Sequence, residues 1–294
     1  MRLCAWPGNE TLAAKLRAAL GASELPLETR RFPDGESYVR IAGDCGGEIA
    51  IVCSLDHPDE KTVPLLVLAD TVRAEGATRV GLIAPYLAYL RQDRQFKPGE
   101  AVSSRTFAKI LSAHFDWLVT VDPHLHRYNS LDEIYSLKSR VCHAAPAIAA
   151  WIKVNIEKPL LIGPDSESAQ WVGDIAARIN APSITLEKTR RGDREVEVSV
   201  PHIEKWQNHT PVLADDIIST GKTMLAAAKR LRDEHAKTPV CIGVHAIFAG
   251  PAYAELINVG ARVVTCNAIT HPSNGIDLTE VIAAGVRLIP VERP

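Results

Sequence analysis

The 294 residues are enough for two domains of about 150 residues, each able to bury a core of its own. Apolar residues make up 46% and charged residues 23%, an ordinary globular balance that excludes a disordered chain and a coiled coil. The formal charge of −2 argues against a protein built to coat nucleic acid or an anionic membrane, so any anion site must come from a local cluster.

Met1–Pro7 contains no apolar run, so a leader peptide is not expected. Asn9 is placed to cap a helix carrying Leu12, Leu16, Ala19 and Leu20, which Gly21 would close. Ile49–Ser54 predicts a buried strand, and Val63, Leu66, Ala69 and Val72 mark a helical stripe. Arg79–Ala84 predicts a strand, Ser104–His114 a helix and Leu118–Val121 a strand. After Arg140 the pattern restarts, with a helix near Ala145–Ile152, a strand at Leu160–Ile162, a helix at Ala169–Ile179 and a strand at Ser183–Leu186. Strand Val212–Leu213, helix Lys222–His235, strand Val240–Ala246, helix Ala252–Ile257 and strand Arg262–Thr265 complete the series. Strands alternating with helices imply mainly parallel, doubly wound sheets of the α/β class.

Two copies of one unit would explain why Gly76-Ala77-Thr78-Arg79-Val80 is echoed by Gly260-Ala261-Arg262-Val263. They would also explain why an apolar strand ends in acid in each half, at Asp122 and at Asp215-Asp216. The seam is expected near residues 140–150, giving domains 1–144 and 145–294, with the last residues candidates to pack back on the first domain. Pro85–Arg105 and Lys188–Glu197 have loop compositions, and loops at the carboxyl ends of parallel strands are where such sheets bind ligands. The longest stretch without an acidic or basic residue, Thr238–Ala254, contains Pro, Gly and His245 and is a poor membrane span. Six scattered cysteines with no CxxC pair read as reduced core thiols of a cytoplasmic protein.

The segment richest in chemistry is Val212-Leu213-Ala214-Asp215-Asp216-Ile217-Ile218-Ser219-Thr220-Gly221-Lys222-Thr223. A strand delivers two carboxylates, and a Ser/Thr/Gly loop then opens a helix. Loop amides at a helix N-terminus cradle phosphate, hydroxyls add donors, and carboxylates suit the hydroxyls of a sugar. A capped helix after a buried strand would need only one of these residues. A Walker A loop is excluded, because it wants glycine five residues before Gly221 and Asp216 stands there.

This loop resembles the 5-phosphoribosyl-diphosphate (PRPP) loop of phosphoribosyltransferases and of PRPP synthetases. Phe32-Pro33-Asp34-Gly35-Glu36, Arg91-Gln92-Asp93-Arg94 with Phe96–Glu100 and Ser103–Arg105, Thr120–His124, Gly163-Pro164-Asp165, Lys188-Thr189-Arg190 and His245–Gly250 resemble synthetase segments in family order. Single-domain phosphoribosyltransferases lack the first several. The resemblance implies two tandem phosphoribosyltransferase-like α/β domains and the reaction of ATP with ribose 5-phosphate to give PRPP and AMP. It further implies Lys188 and Arg190 as catalytic cations. It assigns Phe32, Asp34, Gly35, Glu36, Arg91, Gln92 and Arg94 to ATP, and His124 and Asp165 to Mg²⁺. Asp215, Asp216, Ser219, Thr220, Gly221, Lys222 and Thr223 fall to ribose 5-phosphate. A homo-oligomer, dimer or hexamer, is implied as well, with the nucleotide site shared between neighbouring subunits.

The same residue types stand alone as chemistry. Phosphoryl transfer is mainly positioning and neutralisation of spread negative charge, which Lys188 and Arg190 can supply. Arg91, Gln92 and Arg94 offer a planar cationic surface, and Phe32 a ring for stacking, although Pro33-Asp34-Gly35 is also a good turn by itself. Mg²⁺ prefers oxygen, which makes His124 an unusual contact, and His126 beside it lacks partners at zinc spacing. Three positions depart from the family pattern. Lys222 stands where a second glycine is common, and must accept strain or aim its ammonium at the phosphate. Glu167 adds a carboxylate beside Asp165, and Pro123 replaces leucine. Lys222 and Glu167 keep open a divergent or non-catalytic subunit that regulates an active homologue.

Overall fold

The computed structural model describes the chain except residues 126, 165–167, 192–194, 200–202, 235–236 and 291–294, with the backbone alone described at 187–191, 195–199, 203 and 234. Two compact units divide it, one of residues 1–143 with 279–294, the other of residues 144–278.

The first unit runs β1 (Arg2–Ala5), α1 (Glu10–Leu20), β2 (Ser23–Glu24), β3 (Leu27–Arg31), β4 (Ser37–Ile41), β5 (Gly47–Val52), α2 (Pro58–Ala74), β6 (Ala77–Ile83), α3 (Ser103–His114), β7 (Trp117–Val121) and β8 (Lys138–Cys142). Its parallel sheet has the order β2-β1-β5-β6-β7-β8, and β3 and β4 form a separate antiparallel hairpin. Both faces of the sheet are covered, which is why its strands read as nearly unbroken apolar runs such as Ile49-Ala50-Ile51-Val52. Ile49 and Ile51 pack with Leu65, Leu68 and Val72 of α2 and Phe107 and Leu111 of α3.

The second unit runs α4 (Ala145–Asn155), β9 (Pro159–Gly163), α5 (Ala169–Arg178), β10 (Ser183–Thr185), β11 (Glu187–Arg191), β12 (Glu195–Ser199), β13 (Thr210–Ile218), α6 (Lys222–Glu234), β14 (Val240–Ala246), α7 (Ala252–Asn258), β15 (Arg262–Cys266) and β16 (Asn274–Ile276). Its parallel sheet has the order β10-β9-β13-β14-β15-β16. Position by position this repeats the first sheet, including an antiparallel hairpin between its second and third strands in chain order, β11–β12 here and β3–β4 there. Leu213, Cys241 and Val263 pack with Met224, Ala228 and Leu231 of α6 and Leu256 of α7, so the layering repeats too.

The last helix, α8 (Thr279–Arg287), belongs to the first unit. It lies on α1, β7 and β8, and Arg287 donates to the Ala19 carbonyl at 2.5 Å. Gly285 permits this approach, since a Cβ there would stand 2.3 Å from the Cys142 sulfur. In the second unit α4 lies on α5 and β16, so α4 and α8 do the same work in their respective units from opposite ends of the sequence.

Four expectations are corrected. The Gly-Ala-Arg-Val steps enter β6 and β15, which are the fourth and fifth positions of their sheets. The duplication therefore shows in topology, while those two motifs are only a shared way of entering a strand. Asp122 after β7 and Asp215 in β13 are likewise not equivalent. Lys188–Glu197 falls on the antiparallel strands β11 and β12, with Lys188 opposite Val198 and Arg190 opposite Val196. The alternation of Glu195-Val196-Glu197-Val198 was the signal for those strands. Asn9 precedes α1 but makes no side-chain cap. Its Oδ1 accepts the Ser54 amide at 3.0 Å and its amide donates to the Trp6 carbonyl at 3.2 Å, so it ties the helix start to the end of β5. Gly21 closes α1 in the left-handed conformation as expected, at φ 62°.

Candidate active site

Of the residues expected to hold a sugar phosphate, all but Asp216 line one cavity. β13 extends well beyond the two residues expected of it and carries Asp215 and Asp216 to the carboxyl end of the sheet. A cavity of about 140 Å³, room for several water-sized groups, is lined there by Asp215, Ile217, Ser219, Thr220, Gly221, Lys222 and Thr223, among others. Successive strand residues face opposite ways. Asp215 lines the cavity, and Asp216 stands beside it outside the lining. The Asp216 amide donates to the Asp215 carboxylate at 3.0 Å, and the Ile217 amide to that of Asp216 at 2.7 Å.

Gly221 turns the chain at φ 62° directly into α6, whose first residue is Lys222. The residue that needs left-handed backbone is therefore Gly221, and Lys222 carries no strain. The first turn of α6 has no acidic residue and an exposed Lys222 instead. The partial positive charge of a helix N-terminus disfavours a cation there until an anion occupies the site.

The two segments expected to take a nucleotide sit on two loops of the first unit. Phe32–Glu36 is the tip of the β3–β4 hairpin. It is closed by the Phe32 amide to the Glu36 carbonyl at 2.8 Å and the Glu36 amide to Asp34 Oδ1 at 3.2 Å, with Gly35 at φ 93°. Phe32, Asp34 and Glu36 are exposed, and the Arg30 guanidinium lies 4.5 Å from the Phe32 ring centre and 4.3 Å from that of Tyr38. Arg91–Arg94 follows β6 on the way to α3. Arg91 and Arg94 are exposed and Gln92 is half-buried.

Sequence reasoning passed over what holds this second loop. Asp93 is buried, and Arg127 grips its carboxylate with bonds of 2.8 and 2.9 Å. The Tyr128 hydroxyl donates to the Asp93 carbonyl at 3.1 Å and meets Ser104 Oγ at 3.0 Å. The exposed Phe96 ring has the guanidiniums of Arg94 and Arg127 at 5.0 and 5.3 Å from its centre. No sequence signal marked this grip, because the burial of Asp93 and its pairing with Arg127 are set by packing; once buried, an aspartate rarely lacks a partner.

His124 follows β7, half-buried, behind Asp122, which has φ 34° and bonds His143 Nδ1 at 2.9 Å. Asp165, Glu167 and His126 lie outside the described residues, as do the side chains of Lys188 and Arg190 on β11. Among the described residues no group of three His, Cys, Asp or Glu side chains forms a metal cage. All six cysteines are buried free thiols, and burial pushes Cys4, Cys53 and Cys241 up to about 12, out of reach of thiolate chemistry.

Two tandem α/β units, each with a parallel six-stranded sheet and a hairpin, and a phosphate-type loop in the second define a protein of the phosphoribosyltransferase-like class. Residues 1–114 match the model of the N-terminal domain of ribose phosphate pyrophosphokinase, and residues 130–281 that of the phosphoribosyl transferase domain. A ribose-phosphate pyrophosphokinase of Methanopyrus kandleri is 33% identical over 279 residues, covering 94% of each chain. One of Saccharolobus solfataricus is 35% identical over 267 residues, covering 87% of this chain and 90% of the relative. The crystal structure of phosphoribosylpyrophosphate synthetase from Mycobacterium smegmatis superposes with a TM-score of 0.82 over 97% of both chains at 24% identity, a likeness of fold. The chain belongs to the ribose-phosphate pyrophosphokinase family. Among the described residues no helix is long and apolar enough to cross a membrane.

Proposed function

We propose that this chain transfers the β,γ-diphosphoryl group of ATP to the 1-hydroxyl of ribose 5-phosphate, giving PRPP and AMP. The observation that carries the reading is the cavity at the start of α6, where an exposed lysine, loop hydroxyls and a helix N-terminus surround a space beside the Asp215 carboxylate. That donor set suits a phosphorylated sugar: amides, hydroxyls and the Lys222 ammonium for the ester, and Asp215 for ring hydroxyls, while Asp216, outside the lining, would reach the sugar only from beside the cavity. Family membership supplies the reaction. The bond formed joins the sugar's O1 to the β-phosphorus. The bond broken joins that phosphorus to the bridging oxygen that leaves with AMP, and the hydroxyl proton departs.

Phe32, Asp34, Gly35 and Glu36 would receive the adenosine, and Arg91, Gln92 and Arg94 its phosphates and base, with the arginine forks matched to phosphate oxygens. Lys188 and Arg190 would neutralise charge on the group in flight. Mg²⁺ would be the cofactor, with His124 and Asp165 as its contacts. Carboxylate oxygen fits Mg²⁺, and imidazole nitrogen is the poorer donor, best satisfied through a bound water. When present the ion would offset charge on the triphosphate. Homo-oligomerisation belongs to the same proposal.

The test is AMP release from ATP by the purified protein with Mg²⁺ and phosphate. Release that depends on ribose 5-phosphate, with PRPP formed in equal amount, is expected. A folded protein that forms no AMP would overturn the proposal. Diphosphate release from PRPP and a base without ATP would point to the transferase branch of the fold instead. The unstrained backbone at Lys222 removes one motive for reading the chain as a non-catalytic partner.

A further inference from the structure

The cavity loop is held from a direction that no assigned residue explains. β13 and β14 pair in register up to Ile218 opposite Ala246, where the regular ladder ends. The chain after β14 then bends, with the Ile247 amide turned onto the His245 carbonyl at 3.1 Å. Beyond that bend the Phe248 amide donates to the Ile218 carbonyl at 2.8 Å and the Ala249 amide to the Ser219 carbonyl at 3.0 Å. These two bonds grip the main chain of residues that line the cavity.

Phe248 reaches this position only through φ 41°, a left-handed conformation that a non-glycine residue holds when its surroundings enforce it. The surroundings are aromatic. The Phe248 ring lies 4.7 Å from His271 and 5.2 Å from Tyr253, and Tyr253 and His271 meet edge to face at 4.7 Å. His271 is itself fixed, with Nδ1 on Ser273 Oγ at 2.7 Å and Ser273 Oγ on Thr265 Oγ1 at 2.8 Å. The loop also rests on the same segment through Gly221, whose missing Cβ would lie 3.6 Å from Ala252 and 3.8 Å from Leu256.

We propose that Phe248 is a positioning residue for the sugar-phosphate cavity: its ring, locked by Tyr253 and His271, keeps the main chain of 248–249 bonded to Ile218 and Ser219, so that the loop is preformed for the phosphate ester. The proposal rests on the reading of this cavity as the ribose 5-phosphate site. Preformation lowers the ordering cost of binding, so its loss raises the KM for the sugar phosphate and spares ATP.

The experiment compares Phe248→Gly, Phe248→Leu, Phe248→Tyr and Asp215→Asn in the full-length enzyme. Phe248→Gly keeps the backbone bend and removes the ring, and is expected to raise the KM for ribose 5-phosphate roughly tenfold with the KM for ATP unchanged. Phe248→Leu should fall between it and the parent, and Phe248→Tyr should restore the parent value. A folded Phe248→Gly with parental KM, or one whose two KM values rise together, overturns the proposal. If Phe248→Gly does not fold, Phe248→Leu decides by the same criterion. Asp215→Asn reports on the cavity itself: an unchanged sugar-phosphate KM in that variant sinks the reading of the site and the proposal with it. A raised value there beside a parental Phe248→Gly sinks the proposal alone.

Discussion

Replacing Gly221 by alanine tests the cavity loop with few confounding effects. A Cβ at that position would stand 3.6 Å from Ala252, 3.7 Å from Ile218 and 3.8 Å from Leu256, all ordinary van der Waals separations. No neighbour has to move, so the whole effect comes from the backbone, which sits at φ 62°. Holding alanine in the left-handed region costs about 1–2 kcal/mol. The free alanine loop sheds that strain by leaving its binding shape and must take it up again when the sugar phosphate binds, so the loss falls on sugar-phosphate affinity. At tenfold per 1.4 kcal/mol, the KM for ribose 5-phosphate should rise about 5- to 30-fold. The KM for ATP should not change. Gly221→Asn should recover most of the loss, because asparagine enters the left-handed region far more readily than alanine. Steady-state kinetics with each substrate varied in turn, alongside a melting curve for each variant, makes the measurement. A parental KM in Gly221→Ala would refute the reasoning. So would a loss that Gly221→Asn does not relieve.

Lys188→Ala should lower turnover on the order of 10²-fold with the KM for ATP nearly unchanged, since its contact strengthens only in the transition state. Equal loss in both would contradict that role. Arg127→Ala strips a buried carboxylate of the cation whose one terminal nitrogen donates to both of its oxygens. Losing such charged hydrogen bonds costs about 2 kcal/mol, a fall of roughly 4–8 °C in the unfolding midpoint, read by calorimetry. Arg127→Lys should restore much of it, since both bonds come from a single guanidinium nitrogen and an ammonium can donate to the same two oxygens. Burial holds His271 below its ordinary 6.5, so the unfolded chain binds the proton more readily than the native one. Its contribution to stability is complete above pH 6.5 and is lost as pH falls below that value. His271→Gln should therefore flatten the denaturant-stability profile on the acid side, and an unchanged profile would refute the assignment. Finally, the six buried thiols should react with Ellman's reagent only after unfolding, and rapid labelling of the native protein would contradict their burial.

Composition and period-2 or period-3.6 patterning were enough to determine the class of fold. Strands covered by helices on both faces must be apolar throughout, and Val240–Ala246 announces itself with the same limits that the structure gives. The loop Ser219–Thr223 was legible for a related reason, because a turn that opens a helix is local and its hydroxyls and amides belong to consecutive residues. What the sequence left open is non-local. The β3–β4 and β11–β12 hairpins lie apart from the six-stranded sheets, and their mixed, charged strands give no buried run to detect. The grip of Arg127 on Asp93 joins residues 34 positions apart. The clasp of Phe248 on Ile218 forms only once two parallel strands are in register. That α8 completes the first unit is a matter of its packing on α1, β7 and β8, where Gly285 leaves room for Cys142. Periodicity records which side of an element is dry. Which distant element dries it is a question of packing, and only the folded chain answers it.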